Sequence, residues 1–282
     1  MLTRTIDLMR EHDVDIVVGS SPASLADLAE YRNWIDPVFK EYMMRPGASS
    51  ELQQALVVLT IEGEVTLLVS ADMAANAAGS NADRIVLWGS SEGVPHILPT
   101  GFEAIADALT HIRHVTRTDA LDAVLDRTGT TVRVGVERES LTPGAWEALT
   151  AGNDNVGDCS DLLRLGRMVK TSEQIDLLQR AAEAAEYAAT ETLAIASVGS
   201  NWRELSDLYR LKLAEHGAEL DHFSGSPTGF GQATHTDFRL PESGSMYFDH
   251  GCRLRSWFSD TGHTIAFGPP DEECLRRQVT LQ

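Results

Sequence analysis

Apolar and polar residues recur along this 282-residue chain at two periods, and each change of period marks a new element. Leu2, Ile6 and Met9 keep helical spacing and predict a helix over 2–11. Val14-Asp15-Ile16-Val17-Val18 reads as a strand closed by Gly19-Ser20-Ser21, and Leu25, Leu28 and Tyr31 share one face of a helix over 22–32. Residues 56–61, the turn Glu62-Gly63-Glu64 and residues 65–70 predict a hairpin. The same reading gives helices at 71–78, 101–111 and 142–150 and strands at 85–88 and 132–136, whereas 34–46 is aromatic- and Met-rich without a period. Strands alternating with helices predict a layered α/β domain, a mixed sheet with flanking helices.

The pattern then lengthens. Thr171 and Gln174 have the spacing of a capping box and open an Ala-rich helix to about residue 196, its stripe formed by Ile175, Leu178, Ala182, Ala185 and Ala189. Asn201 caps a second helix, stopped by Gly217. Residues 223–231 are rich in Gly, Ser and Pro and read as a loop, with His235 just beyond. From 245 to 268, two runs of aromatic and aliphatic residues each carry one aspartate, Asp249 and Asp260, around a turn read at Gly251-Cys252-Arg253-Leu254-Arg255. A symmetric turn of even length sets the two aspartates opposite each other on one face of a hairpin. Carboxylates held that close repel unless a cation lies between them, and oxygen donors suit hard or borderline divalent ions.

Composition narrows the partners. The net charge of −19 repels nucleic acid and anionic membrane surfaces, so neither is expected as a partner. Three cysteines, Cys159, Cys252 and Cys274, form no CxxC pair, which fits a reducing cytoplasm rather than a disulfide framework. The charged N-terminus has no signal-like apolar core, and no apolar run reaches membrane-spanning length. His111 and His114 lack a clustered partner in sequence and read as surface histidines.

Asp249-x-Gly251, Asp260 eleven positions after the first aspartate, Thr264 and Gly268 resemble the metal-binding hairpin of the pita-bread metallopeptidases. That family comprises aminopeptidase P, Xaa-Pro dipeptidase, methionine aminopeptidase and the non-metal relative creatinase. The resemblance implies a creatinase-like N-terminal domain over 1–165 and an incomplete α+β pita-bread domain over 166–282. It implies that Asp249 and Asp260 are two of five ligands to two divalent ions (Mn, Co or Zn), with a His and two Glu expected beyond Gln282. It also implies His235 as the substrate-binding histidine, a proline-containing peptide as substrate, and a homodimer through the first domain. His263 stands where the common family pattern has Arg. The expectation is a homologue of the metal-dependent Xaa-Pro peptidases without efficient dinuclear hydrolysis over these 282 residues. Two alternatives stay open: a non-catalytic binding protein of the same fold, and a creatinase- or lyase-type relative with altered chemistry.

Overall fold

A computed structural model of the chain describes residues 2–32, 54–89, 100, 103–110, 114–125, 132–151, 154–226, 237–268 and 272–281. They fall into two units, Met1–Lys170 and Thr171–Gln282.

In the first unit the strands are β1 (Ile16–Gly19), β2 (Leu56–Thr60), β3 (Val65–Ser70), β4 (Arg84–Trp88), β5 (Val134–Val136) and β6 (Val156–Asp158). They form one sheet in the order β4-β3-β2-β1-β5-β6. β1–β2 and β2–β3 pair antiparallel; β3–β4, β1–β5 and β5–β6 pair parallel. The helices are α1 (Leu2–Glu11), α2 (Pro22–Ala29), α3 (Ala74–Ala77), α4 (Ala106–Thr110), α5 (Arg117–Leu125), α6 (Pro143–Thr150) and α7 (Ser160–Met168). Alternate residues of one strand feed two different cores. Val17, Val57, Leu59 and Leu67 pack with Leu8, Leu25, Leu28, Leu162 and Leu163 on one face, while Ile16, Val18, Leu56, Val58 and Leu68 pack with Ala120, Leu121 and Val124 on the other. Burial on both faces explains why these strands read as continuous apolar runs rather than alternating ones.

A buried carboxylate joins β5 to the start of α2. Glu137 Oε2 accepts from the backbone N–H groups of Ser20 and Ser21 at 2.8 and 2.9 Å, and Oε1 accepts from the Ser21 and Ser24 hydroxyls at 2.8 and 2.9 Å. Arg167 Nη1 of α7 lies 3.9 Å away. Burial alone would raise the pKa of Glu137; those hydrogen bonds more than reverse it, and the net shift is downward.

The second unit contains α8 (Ser172–Ala194), α9 (Trp202–Glu215), β7 (Glu219–Ser226), β8 (Gly244–Leu254), β9 (Trp257–Phe258), β10 (Thr261–Phe267) and α10 (Glu272–Leu281). The capping box forms as expected, Thr171 Oγ1 accepting from Gln174 N–H and the Gln174 side chain accepting from Thr171 N–H. The expected stripe of α8 is met in part: Ala185 and Ala189 are buried as expected, Ile175 is exposed, and Ala181, Ala184, Ala188 and Thr192 complete the inner face. Alanines let the helix approach the sheet closely, so the largest aliphatic residues of its sequence do not define its inner face. The sheet runs β10-β8-β7, with β9 paired to the far end of β8. Its inner face is aromatic: Trp202 stacks on Phe223 at 4.7 Å, and Tyr209 on the same ring at 4.6 Å.

Local readings change in three places. Residues 223–226, read as the start of a loop, are the end of strand β7. The hairpin turn is not at 251–255: Leu254 pairs with Trp257, leaving Arg255 and Ser256 as a two-residue turn with Arg255 left-handed at φ 56°. α5, α7 and β6 lie in stretches for which the sequence pattern predicts no element. The segment 34–46 lies outside the described residues.

Candidate metal centre

One pairing register builds the site. β8 and β10 pair with Thr261 opposite His250, Gly262 opposite Asp249 and His263 opposite Phe248. Asp249 is therefore not opposite Asp260, as a symmetric turn would place it. Asp260 follows one step beyond the ladder, diagonal to Asp249. An offset of two keeps both on the same face of the pleat, so they still converge.

Gly251 makes the diagonal short. A Cβ at this position would lie 2.3 Å from the Ser259 carbonyl oxygen and 2.6 Å from His222 Cε1. The Asp-x-Gly spacing thus has a steric cause: only glycine lets Ser259-Asp260 and the His222 ring close over the strand.

No sequence pattern marks His222, and its place depends on an irregularity. β7 pairs with β8 as Glu219–Arg253 and Leu220–Cys252, then as His222–Gly251, the extra residue Asp221 forming a bulge. Without it His222 would sit opposite His250 and face the helices. The bulge turns it to the aspartate face. Its Nε2 is 3.2 Å from Asp249 Oδ1 and 3.8 Å from Asp260 Oδ1, and its Nδ1 is 2.8 Å from Asp221 Oδ2. Burial pushes the His222 pKa down, but hydrogen bonds to Asp221 and Asp249 outweigh it and the net shift is upward. One donor atom from each of His222, Asp249 and Asp260 lies within 4.8 Å of the others. Asp249 is mostly buried, whereas the Asp260 side chain is 81% exposed. His235 lies outside the described residues.

His250, next to Asp249, and His263, three residues after Asp260, point through the sheet the other way, as strand alternation requires. His250 is fully buried and its pKa falls to about 4, chiefly from burial. Cys252 is likewise on the inner face, its Sγ 3.2 Å from the Ala181 carbonyl of α8.

No protein-family model matches the chain. Among solved structures, X-Pro aminopeptidase from Thermotoga maritima MSB8 is similar with a TM-score of 0.70 at 15% identity, over 97% of this chain and 67% of that one. Prolidase from Pyrococcus horikoshii OT3 gives 0.67 at 18% identity, over 98% and 67%. In sequence, the chain is 25% identical over 149 residues to the uncharacterized peptidase YqhT of Bacillus subtilis, covering 50% of this chain and 42% of that protein. It is 25% identical over 118 residues to an Xaa-Pro dipeptidase of Pyrococcus furiosus, covering 40% and 34%. The chain thus spans about two thirds of its structural neighbours, and its matches span less than half of either curated relative.

Proposed function

We propose that this chain, which has the pita-bread fold of the X-Pro aminopeptidases and prolidases, carries part of a divalent-metal site for hydrolysing peptides beside proline. The observation that supports this reading is the convergence of Asp249, Asp260 and His222 on one sheet face, with donor atoms within 4.8 Å. Two carboxylates and an imidazole suit Mn²⁺, Co²⁺ or Zn²⁺ in chemistry. Asp249 and Asp260 would hold the ion, and a second ion would share the same acidic face. When bound, a divalent ion supplies Lewis acidity toward a scissile carbonyl and makes a coordinated water more acidic.

The chain's own groups set up the rest. Asp221 orients the His222 ring, which in turn orients the Asp249 carboxylate through its Nε2. Gly251 keeps the Asp260 segment close. His235 is assigned the role of stabilising charge on the substrate's tetrahedral intermediate, on the family resemblance alone. Two buried free thiols, Cys159 and Cys252, fit a cytoplasmic location, and no described helix is long and apolar enough to cross a membrane.

Calorimetric titration with Mn²⁺, an ion that two carboxylates suit well, tests the assignment. Weak saturable binding is expected, with Asp249→Asn and Asp260→Asn each removing it. Binding unchanged in both variants overturns the site, and no binding to the unmutated chain favours a non-catalytic binding protein. Because three donor groups leave most coordination positions to water among the described residues, turnover of an Xaa-Pro dipeptide with Mn²⁺ is expected to be slow.

A further inference from the structure

On the inner face of the same sheet, α8, β8 and β10 bring together Glu186, His250 and His263. The His250 and His263 rings are parallel to within 8° with centroids 5.3 Å apart, and Phe248 stacks on each at 5.3 Å. Glu186 Oε1 and Oε2 each lie 3.2 Å from His263 Nε2, and Oε1 lies 4.0 Å from His250 Nε2. One donor atom from each residue falls within 4.8 Å of the others.

His250 separates this cluster from an ordinary histidine–glutamate contact. Its side chain is 0% exposed, and its Nε2 has no hydrogen-bond partner among the described residues. A buried ring nitrogen left unpaired is costly, and this one is aimed at the same carboxylate that His263 reaches. The opposite nitrogen, Nδ1, lies 3.3 Å from the Tyr209 hydroxyl. That contact fixes the ring and, with Nδ1–H donating to Tyr209 Oη, leaves the Nε2 lone pair pointing into the cluster. Glu186 and His263 are each 43% exposed, so a solute ion has a route in.

We propose that Glu186, His250 and His263 form a second metal site, for a zinc-class ion, on the face of the sheet opposite Asp249 and Asp260. Two imidazoles and a carboxylate are borderline donors that suit Zn²⁺ or Co²⁺ better than Mn²⁺ or Mg²⁺. Metal–nitrogen and metal–oxygen bonds of about 2.0–2.2 Å put tetrahedral donors roughly 3.3 Å apart, and the observed 3.2 and 4.0 Å bracket that spacing. Three protein ligands leave one coordination position open toward the exposed edge of the cluster. The site stands independently of the peptidase reading, because it uses neither aspartate.

The test uses the full chain carrying Asp249→Asn and Asp260→Asn, which silences the outer face. Co²⁺ titration is expected to give one equivalent and the intense visible absorption of a tetrahedral ion, displaced by Zn²⁺. Adding Glu186→Gln or His263→Gln, at half-exposed positions that should tolerate exchange, is expected to weaken binding beyond the about 10–100-fold that losing a supporting group costs. Tyr209→Phe, which removes only the group positioning His250, is expected to weaken it about 10-fold. Thermal melts follow folding in parallel, and Zn²⁺ should raise Tm in the double Asn background but not with Glu186→Gln added. Absence of the Co²⁺ bands, or binding that survives both Glu186→Gln and His263→Gln, overturns the site. Loss of binding only in the aspartate variants would support the outer site and refute this one.

Discussion

Glu137 shows how much one residue holds that its sequence neighbours do not announce. It follows a short apolar strand, and sequence reading gives it no role. In the fold it receives four hydrogen bonds from the start of α2. Its folded pKa is lowered, so its contribution is fully present above its ordinary value of about 4.5 and is lost as pH falls through the folded value. The unfolded chain takes up the proton first, which fixes that sign. Glu137→Gln is expected to cost about 1.5–3 kcal/mol at neutral pH, the range for hydrogen bonds to a charged group. Urea unfolding from neutral pH downward should show the gap from the unmutated protein narrowing below about pH 4.5. A gap constant with pH would contradict the account. His222 is the matching case at the candidate site, since a histidine in an unremarkable strand gains meaning only from the bulge beside it.

At the scale of the element, the β8–β9–β10 hairpin is the working part. Its two aspartates and the glycine between them were legible because apolar runs interrupted by a charge stand out against a strand pattern. Gly251 has the look of a turn former, but the turn lies at Arg255-Ser256 and Gly251 serves close approach across the ladder. Gly251→Ala is expected to destabilise the second unit by about 1–3 kcal/mol, as overpacking does, since the added Cβ meets backbone oxygen at 2.3 Å. The same change should also weaken Mn²⁺ binding, because Ser259-Asp260 must retreat from Asp249. An unaltered Tm together with unaltered calorimetry would remove the steric argument. The capping box of α8 is legible in the sequence because it is a contact between residues three apart, and so is local information.

Over the whole molecule, charge sets the conditions. The chain carries 42 acidic residues against 23 Lys and Arg, a net charge of −19, and this repulsion opposes the compact state. Added salt shortens the Debye length from about 30 Å at 0.01 M to about 3 Å at 1 M. Tm is therefore expected to rise with NaCl across that range, and a flat or falling Tm would show that ion pairs such as Arg133–Asp15 and Arg203–Asp237 outweigh the net field. The likeness to peptidases of known structure belongs to this scale as well, because it covers nearly all of this chain at identities of 15% and 18%. Fold outlasts sequence here because the buried pattern, rather than residue identity, is what packing requires.

Sequence alone determined the α/β layering, the long capped helix, and the two aspartates on a hairpin, since all three rest on period, capping or spacing within a few residues. Tertiary structure decided that Asp249 and Asp260 meet on a diagonal, that a bulge at Asp221 brings His222 to them, and that His250 and His263 turn inward to Glu186. The reason is the pleat: a shift of one residue in pairing moves a side chain to the opposite face. Pairing register comes from strands far apart in the chain, which no local pattern records.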